Sequence, residues 1–98
     1  MQKKQKSNLR KEARGRNCTI EIPGVCNRNP ETVVLCHLNK RSLGAGMGKK
    51  TPDIFGAWGC SACHDAVDGR MRTNEDWTMF FYEAVFRTQK ILLDEGKI

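Results

Sequence analysis

The stretch Cys60-Ser61-Ala62-Cys63-His64-Asp65-Ala66-Val67-Asp68 decides how the rest of the chain is read. Two cysteines in a C-x-x-C spacing bring two sulfurs to one ion, as in a zinc knuckle. His64 and Asp68 stand at i and i+4, so on a helix opening after Cys63 they project from one face, as two ligands of one ion must. The same spacing suits an ordinary helix-surface hydrogen bond, and on spacing alone both readings of that pair stand. Two other chemistries use this motif. C-x-x-C-H attaches c-type haem, with Met71 or Met79 as sixth ligand, and C-x-x-C forms the dithiol of thioredoxin-like proteins. Haem leaves Cys18 and Cys26 unexplained and is attached outside the cytosol, and no βαβ pattern surrounds the motif to support a thioredoxin-like site.

Upstream, Cys18-x7-Cys26 supplies a second pair, with Pro23-Gly24 as the turn that folds the chain back over that spacing. Four thiolates, Cys18, Cys26, Cys60 and Cys63, satisfy the tetrahedral preference of a structural zinc. The chain needs such help. At 98 residues it is one domain, and a chain this short buries only about 60 to 65% of its unfolded surface. Five cysteines is an odd number, and the start Met1-Gln-Lys-Lys-Gln-Lys6 has no apolar stretch behind it to act as a secretory signal. A reducing cytoplasm is therefore expected, where metal rather than disulfides supplements a small core. No apolar run approaches the ~20 residues of a membrane span, which excludes an integral membrane helix.

The charge is uneven. Net charge is +6, and residues 1–16 carry seven basic groups (Lys3, Lys4, Lys6, Arg10, Lys11, Arg14, Arg16) against Glu12 alone. The remaining ten basic and ten acidic residues cancel, so the whole excess lies in this segment. Residues 1–16 read as a flexible basic arm suited to a polyanion such as nucleic acid, and residues 17–98 as the single folded domain. Within it, Cys18–Ile22 alternates like a strand, Thr32–His37 is the strongest strand signal and ends on a histidine, and Ile54–Trp58 is a second apolar segment. Asn39–Pro52, with Lys40, Arg41, Lys49 and Lys50, reads as a long loop. From Thr73-Asn-Glu-Asp76, a cap-like sequence, Trp77, Phe81, Ala84, Val85, Thr88, Ile91 and Leu92 recur at helical spacing up to Gly96, predicting an amphipathic C-terminal helix. The expected fold is α+β.

A histidine ending one strand, a loop, a second strand and C-x-x-C-H-x-x-x-D opening a helix resembles the ββα-metal, or His-Me finger, nucleases of the HNH class. More closely, Leu9-Arg-Lys-Glu-Ala-Arg-Gly-Arg16, Cys18, Ile22-Pro-Gly-Val-Cys26, Asn29-Pro-Glu-Thr32, Val34-Leu35, His37 and Cys60-Ser-Ala-Cys-His-Asp65 resemble the YbcO family of small lambdoid-prophage nucleases, over about Leu9 to Gly96. The resemblance implies a zinc-stabilised ββα-metal domain that hydrolyses phosphodiester bonds in nucleic acid, DNA above all, in phage DNA processing or recombination. It places His37 as general base and puts a catalytic divalent ion, magnesium, manganese, zinc or nickel, on His64 and Asp68. Cys36 occupies a position that often ligates metal in HNH enzymes, although a thiolate suits magnesium poorly. The middle Asn of the HNH motif has no clear counterpart: Asn39 comes too early and Asp53 stands at a slightly different spacing. Arg10, Lys11, Arg14, Arg16, Lys40, Arg41, Lys49 and Lys50 would contact phosphates. The alternative from another class is a non-catalytic zinc module that binds DNA or a phage recombination protein.

Overall fold

The computed structural model describes residues 8–37, 51–67 and 77–98. Their order is α1 (Leu9–Glu12), a 3-10 turn (Pro30–Thr32), β1 (Val34–Cys36), a second 3-10 turn (Asp53–Phe55), β2 (Ala57–Gly59), α2 (Ser61–Val67) and α3 (Thr78–Asp94). This is a small α+β domain around a two-stranded sheet.

β1 and β2 pair antiparallel in the register Val34↔Gly59, Leu35↔Trp58 and Cys36↔Ala57. On β2, Trp58 turns its other edge to Thr19. The Thr19 N–H donates to the Trp58 carbonyl at 2.7 Å, and the Trp58 N–H donates to Thr19 Oγ1 at 3.1 Å. Thr19 Oγ1 also pairs with Thr88 Oγ1 at 2.8 Å, which ties the same point to α3. These buried hydroxyls satisfy backbone groups that a third strand would otherwise have to satisfy. Gly59 is required by close approach: a Cβ there would fall 2.6 Å from Cys36 Sγ and 2.7 Å from Ile20 Cδ1.

Cys18–Ile22, expected as a strand, is not one. Glu21 takes φ +51°, a left-handed conformation that breaks an extended run, so the segment meets β2 through Thr19 and Trp58 alone as hydrogen-bonded backbone, although Ile20 and Ile22 are buried and Glu21 is exposed as the alternation implies. The two true strands are shorter than their sequence signals, because Thr32 and Ile54 each belong to a 3-10 turn.

α3 buries Phe81, Ala84, Val85, Thr88 and Leu92 against β2, the stripe predicted from spacing. It ends in a Schellman closure. Gly96, at φ +73°, donates to the Leu93 carbonyl at 3.1 Å, and Lys97 donates to the Leu92 carbonyl at 2.8 Å. The cap-like residues 73–76 lie outside the described residues, and Trp77 stands at the start of α3 without a side-chain cap bond.

The segment read as a flexible arm through Arg16 is, from Asn8 onward, part of the packed domain. Asn8 Oδ1 caps α1 by accepting from the Arg10 and Lys11 N–H groups, and Leu9 and Ala13 are buried. Arg16 places two nitrogens 2.6 Å from the Glu95 carboxylate, bonds Glu12 at 3.1 Å and lies 4.7 Å over the Trp58 ring. Lys97 returns to Glu12 at 3.4 Å, so α1 is pinned to the end of α3.

Candidate functional site

The four predicted zinc cysteines converge. Two come from the irregular segment before β1, and two flank the start of α2. Their sulfurs all lie within 4.8 Å of one another, and Cys26 Sγ and Cys60 Sγ are 3.8 Å apart. A tetrahedron with zinc–sulfur bonds of about 2.3 Å has a sulfur–sulfur edge of about 3.8 Å, so the spacing fits this ion.

The surrounding backbone is arranged for thiolates. Glu21 N–H points to Cys18 Sγ at 3.5 Å, Asn27 N–H to Cys60 Sγ at 3.4 Å, and Cys63 N–H to Cys60 Sγ at 3.4 Å. The last bond also caps α2, since Cys60 precedes the helix and its sulfur does what a Ser or Asp oxygen does at an N-cap. Asn27 Nδ2 donates to Ser61 Oγ at 2.9 Å, and Ser61 N–H donates to Thr32 Oγ1 at 3.2 Å, which joins the first cysteine pair to the second. Glu21 and Arg28 hold positive φ on either side of the Ile22–Cys26 turn. Left-handed backbone at such residues costs about 1–2 kcal/mol each and persists where surrounding interactions impose it.

The sulfurs compete for charge. The hydrogen bond with Cys63 draws the Cys18 thiol down to about 4, the same bond pushes Cys63 up, and burial raises Cys26. Charge on the Cys18 sulfur is thus favoured over charge on Cys26 or Cys63. A divalent cation would displace the thiol protons and let all four ionise. Among the described residues, this is the one group of three or more His, Cys, Asp and Glu side chains gathered closely enough to hold a metal.

A second constellation lies around His37. His37 Nε2 and Asp53 Oδ1 are 2.7 Å apart, with the His37 side chain 8% exposed and that of Asp53 25% exposed. Arg10 Nε approaches Asp53 Oδ2 at 3.4 Å from α1. Asp53 opens the 3-10 turn before β2, where Gly56 N–H closes onto the Asp53 carbonyl at 3.0 Å. From α3, Gln89 Nε2 holds the Ile54 carbonyl at 2.7 Å. Four segments distant in sequence thus meet at this contact or brace it.

The register separates the two constellations. Cys60 leaves β2 beside the start of β1, whereas His37 follows Cys36 at the other end of the pair. Three residues of strand put about 10 Å between those ends.

The other predicted site residues fare differently. His64 lies half-buried in the first turn of α2, its N–H bonded to the Cys60 carbonyl at 2.8 Å, while Asp68 falls outside the described residues. Cys36 is buried, with its sulfur against the Gly59 backbone and apart from the sulfur cluster. Lys11 and Arg14 are exposed. Arg10 is engaged by Asp53 and Arg16 by Glu95 and Glu12, and Lys40, Arg41, Lys49 and Lys50 lie outside the described residues. Sequence reasoning marks Asp53 only for its spacing and does not join it to His37; the Pro52-Asp53 turn signal is the available clue.

A small α+β domain with four cysteines close enough to hold a metal ion at one end of its hairpin and a histidine–aspartate pair at the other is the class these observations define. The chain belongs to the YbcO family: the family model described as "Putative nuclease YbcO" matches residues 7–97. "Putative nuclease YbcO" of Escherichia coli (strain K12) is 47% identical over 94 residues, covering 94% of this chain and 97% of the relative. "Putative nuclease ybcO" of Enterobacteria phage 82 matches equally. A solved structure titled "Structure of a putative bacteriophage protein from Escherichia coli str. K-12 substr. MG1655" superposes with a TM-score of 0.74 at 43% identity, covering 91% of this chain and all of that one. The names of the relatives support a nuclease acting on nucleic acid. Among the described residues, no helix is long and apolar enough to cross a membrane.

Proposed function

We propose that this protein is a metal-dependent nuclease of the His-Me finger type that hydrolyses phosphodiester bonds in DNA during phage DNA processing or recombination. The observation that carries the reading is the 2.7 Å contact between His37 and Asp53, made where β1 ends, in a chain whose order is β1, β2, α2. A carboxylate can only accept a hydrogen bond, so a neutral imidazole donates to Asp53 from Nε2 and keeps the Nδ1 lone pair for a proton. His37 then serves as general base toward a water molecule, and the hydroxide formed attacks phosphorus in line with the departing 3′-oxygen, leaving a 5′-phosphate.

His64 and Asp68 would hold the catalytic divalent ion, which would supply Lewis-acid neutralisation of the charge that develops during cleavage. At the opposite end of the hairpin, Cys18, Cys26, Cys60 and Cys63 would hold a structural zinc that stabilises the fold, and four thiolates would leave it no open position for chemistry. Exposed Lys11 and Arg14, with Lys40, Arg41, Lys49 and Lys50, would contact phosphates and position the strand without reading its sequence. In a cytoplasmic host compartment the cysteines stay reduced for zinc.

The test is a cleavage assay of zinc-loaded protein on linear, branched and single-stranded DNA and on RNA, with magnesium, manganese, zinc or nickel supplied. Cleavage that leaves 5′-phosphates and is abolished in His37→Ala supports the proposal. Tight DNA binding with no cleavage under any of these conditions overturns it in favour of a non-catalytic zinc module.

A further inference from the structure

α3 has two apolar faces, and the core uses one. Phe81, Ala84, Val85, Thr88 and Leu92 pack inward, while Met79, Phe86 and Leu93 stand 66%, 69% and 61% exposed. These three are spaced by seven residues. At about 100° per residue they form a stripe only about 40° wide and about 21 Å long, on the side of the helix away from β2. Single exposed apolar residues are ordinary on a protein surface, but an aligned row on a helix that already has its buried face marks an interface.

We propose that two copies of this chain associate through α3, antiparallel about a two-fold axis at Phe86. The stripe is symmetric about that residue, so the axis sets Phe86 on Phe86 and, twice over, Met79 of one copy against Leu93 of the other. Such self-complementarity is what a two-fold contact requires of one patch. Charge selects the same orientation. Glu83 and Lys90 border the stripe on one side and are also seven residues apart. Antiparallel helices oppose like edges, which sets Glu83 against Lys90 of the other copy on both sides of the axis. A parallel pair would set that charged edge against the opposite, uncharged one and form no such contacts. Within one chain, Glu83 reaches Arg87 at 3.8 Å and Lys90 reaches Asp94 at 2.7 Å. Both are exposed intrahelical pairs of small worth, free to be exchanged. One helix per copy makes a small interface, which implies a dissociation constant on the order of tens of micromolar. The stripe includes neither the cysteines nor the His37–Asp53 pair, so the association stands apart from the proposed chemistry.

Sedimentation velocity of the zinc-loaded full chain over roughly 2 to 500 µM, a range bracketing that constant, tests the proposal. The expected result is a shift from one to two chain masses. Phe86→Asp should weaken association at least about twentyfold, and Glu83→Lys by about three- to tenfold, while Glu83→Lys combined with Lys90→Glu should return to within about twofold of wild type. All these positions are exposed, and near-UV circular dichroism confirms that each variant is folded. A monomer throughout the range, or a dimer indifferent to Phe86→Asp, overturns the proposal. Failure of the double exchange to recover overturns the antiparallel arrangement.

Discussion

The two ends of the β1–β2 hairpin are built in opposite ways. At the Cys60 end, four sulfurs close on one point, backbone N–H groups face them, and a C-x-x-C spacing of three residues does much of the placing. At the His37 end, side chains from Arg10, His37 and Asp53 meet across three separate segments and depend on the whole fold to do so. The first end gathers two closely spaced cysteine pairs into one set of four sulfur donors, and the second is a polar contact between single residues. A site whose valences are all satisfied from within the chain suits stability, whereas a histidine held by one nitrogen retains another for a substrate or water.

The largest expected effect lies at the closed end. Metal binding in such domains contributes on the order of 10 kcal/mol to folding, comparable to the whole stability of a small domain. Zinc removal by a strong chelator, or Cys60→Ser, should therefore abolish the cooperative unfolding transition seen by near-UV circular dichroism. Retention of a full tertiary signal after metal analysis shows zinc to be absent would break the assignment of this end to stability.

At the open end the expectation reverses. His37→Ala should lower phosphodiester cleavage by about two to four orders of magnitude, the usual worth of a positioned base, with zinc content and the unfolding transition little changed. Asp53→Asn sharpens the point, since an amide can donate to Nε2 as well as accept from it and no longer dictates which nitrogen carries the proton. Its cleavage rate should fall by at least about tenfold while affinity for DNA holds, which kinetics under single-turnover conditions would resolve. Equal loss of folding in either variant would mean that both ends serve stability.

A smaller effect concerns nucleic-acid affinity. Removing residues 2–7, which leaves the Asn8 cap and buried Leu9 intact, should reduce the slope of log K against log salt on duplex DNA by about 0.9 for each phosphate that these lysines neutralise. Deletion through Arg16 would instead damage the fold, because Leu9, Ala13 and Arg16 are packed or paired.

What the sequence makes legible follows the same division. The sulfur cluster, the α3 core stripe and the hairpin order are readable because each rests on short-range spacing or on periodicity. α1 is not, since four residues show no period and a helix that short is stable only through docking, here of Leu9 and Ala13. The irregular Cys18–Ile22 segment reads falsely as a strand because β-branched alternation carries no sign of the left-handed turn at Glu21. The His37–Asp53 contact spans sixteen positions and depends on Gln89 holding the turn at Ile54, a dependence that no local pattern encodes. Arg16 resembles a phosphate ligand by charge alone, and Glu95, near the other end of the chain, determines its role.

That last pairing yields the smallest effect and a control for the comparison, since it belongs to neither end of the hairpin. The hydrogen bonds from the Arg16 guanidinium hold the Glu95 carboxyl below its ordinary range, and the same contacts raise Arg16 further above physiological pH. A carboxylate whose folded value is depressed contributes stability that is present above its unfolded value, near 4.3, and disappears as pH falls through the lower folded value. Glu95 is at the surface, so salt and solvent screen the contribution. Glu95→Gln should therefore lower the melting temperature slightly at pH 7, the difference from wild type should shrink below about pH 4, and added salt should narrow it at every pH. Zinc content and cleavage should not change. A Glu95 side-chain resonance titrating at the ordinary carboxylate midpoint, or a melting difference that grows on acidification, would show that Arg16 does not hold this carboxylate in solution and would return Arg16 to the set of cations open to phosphate.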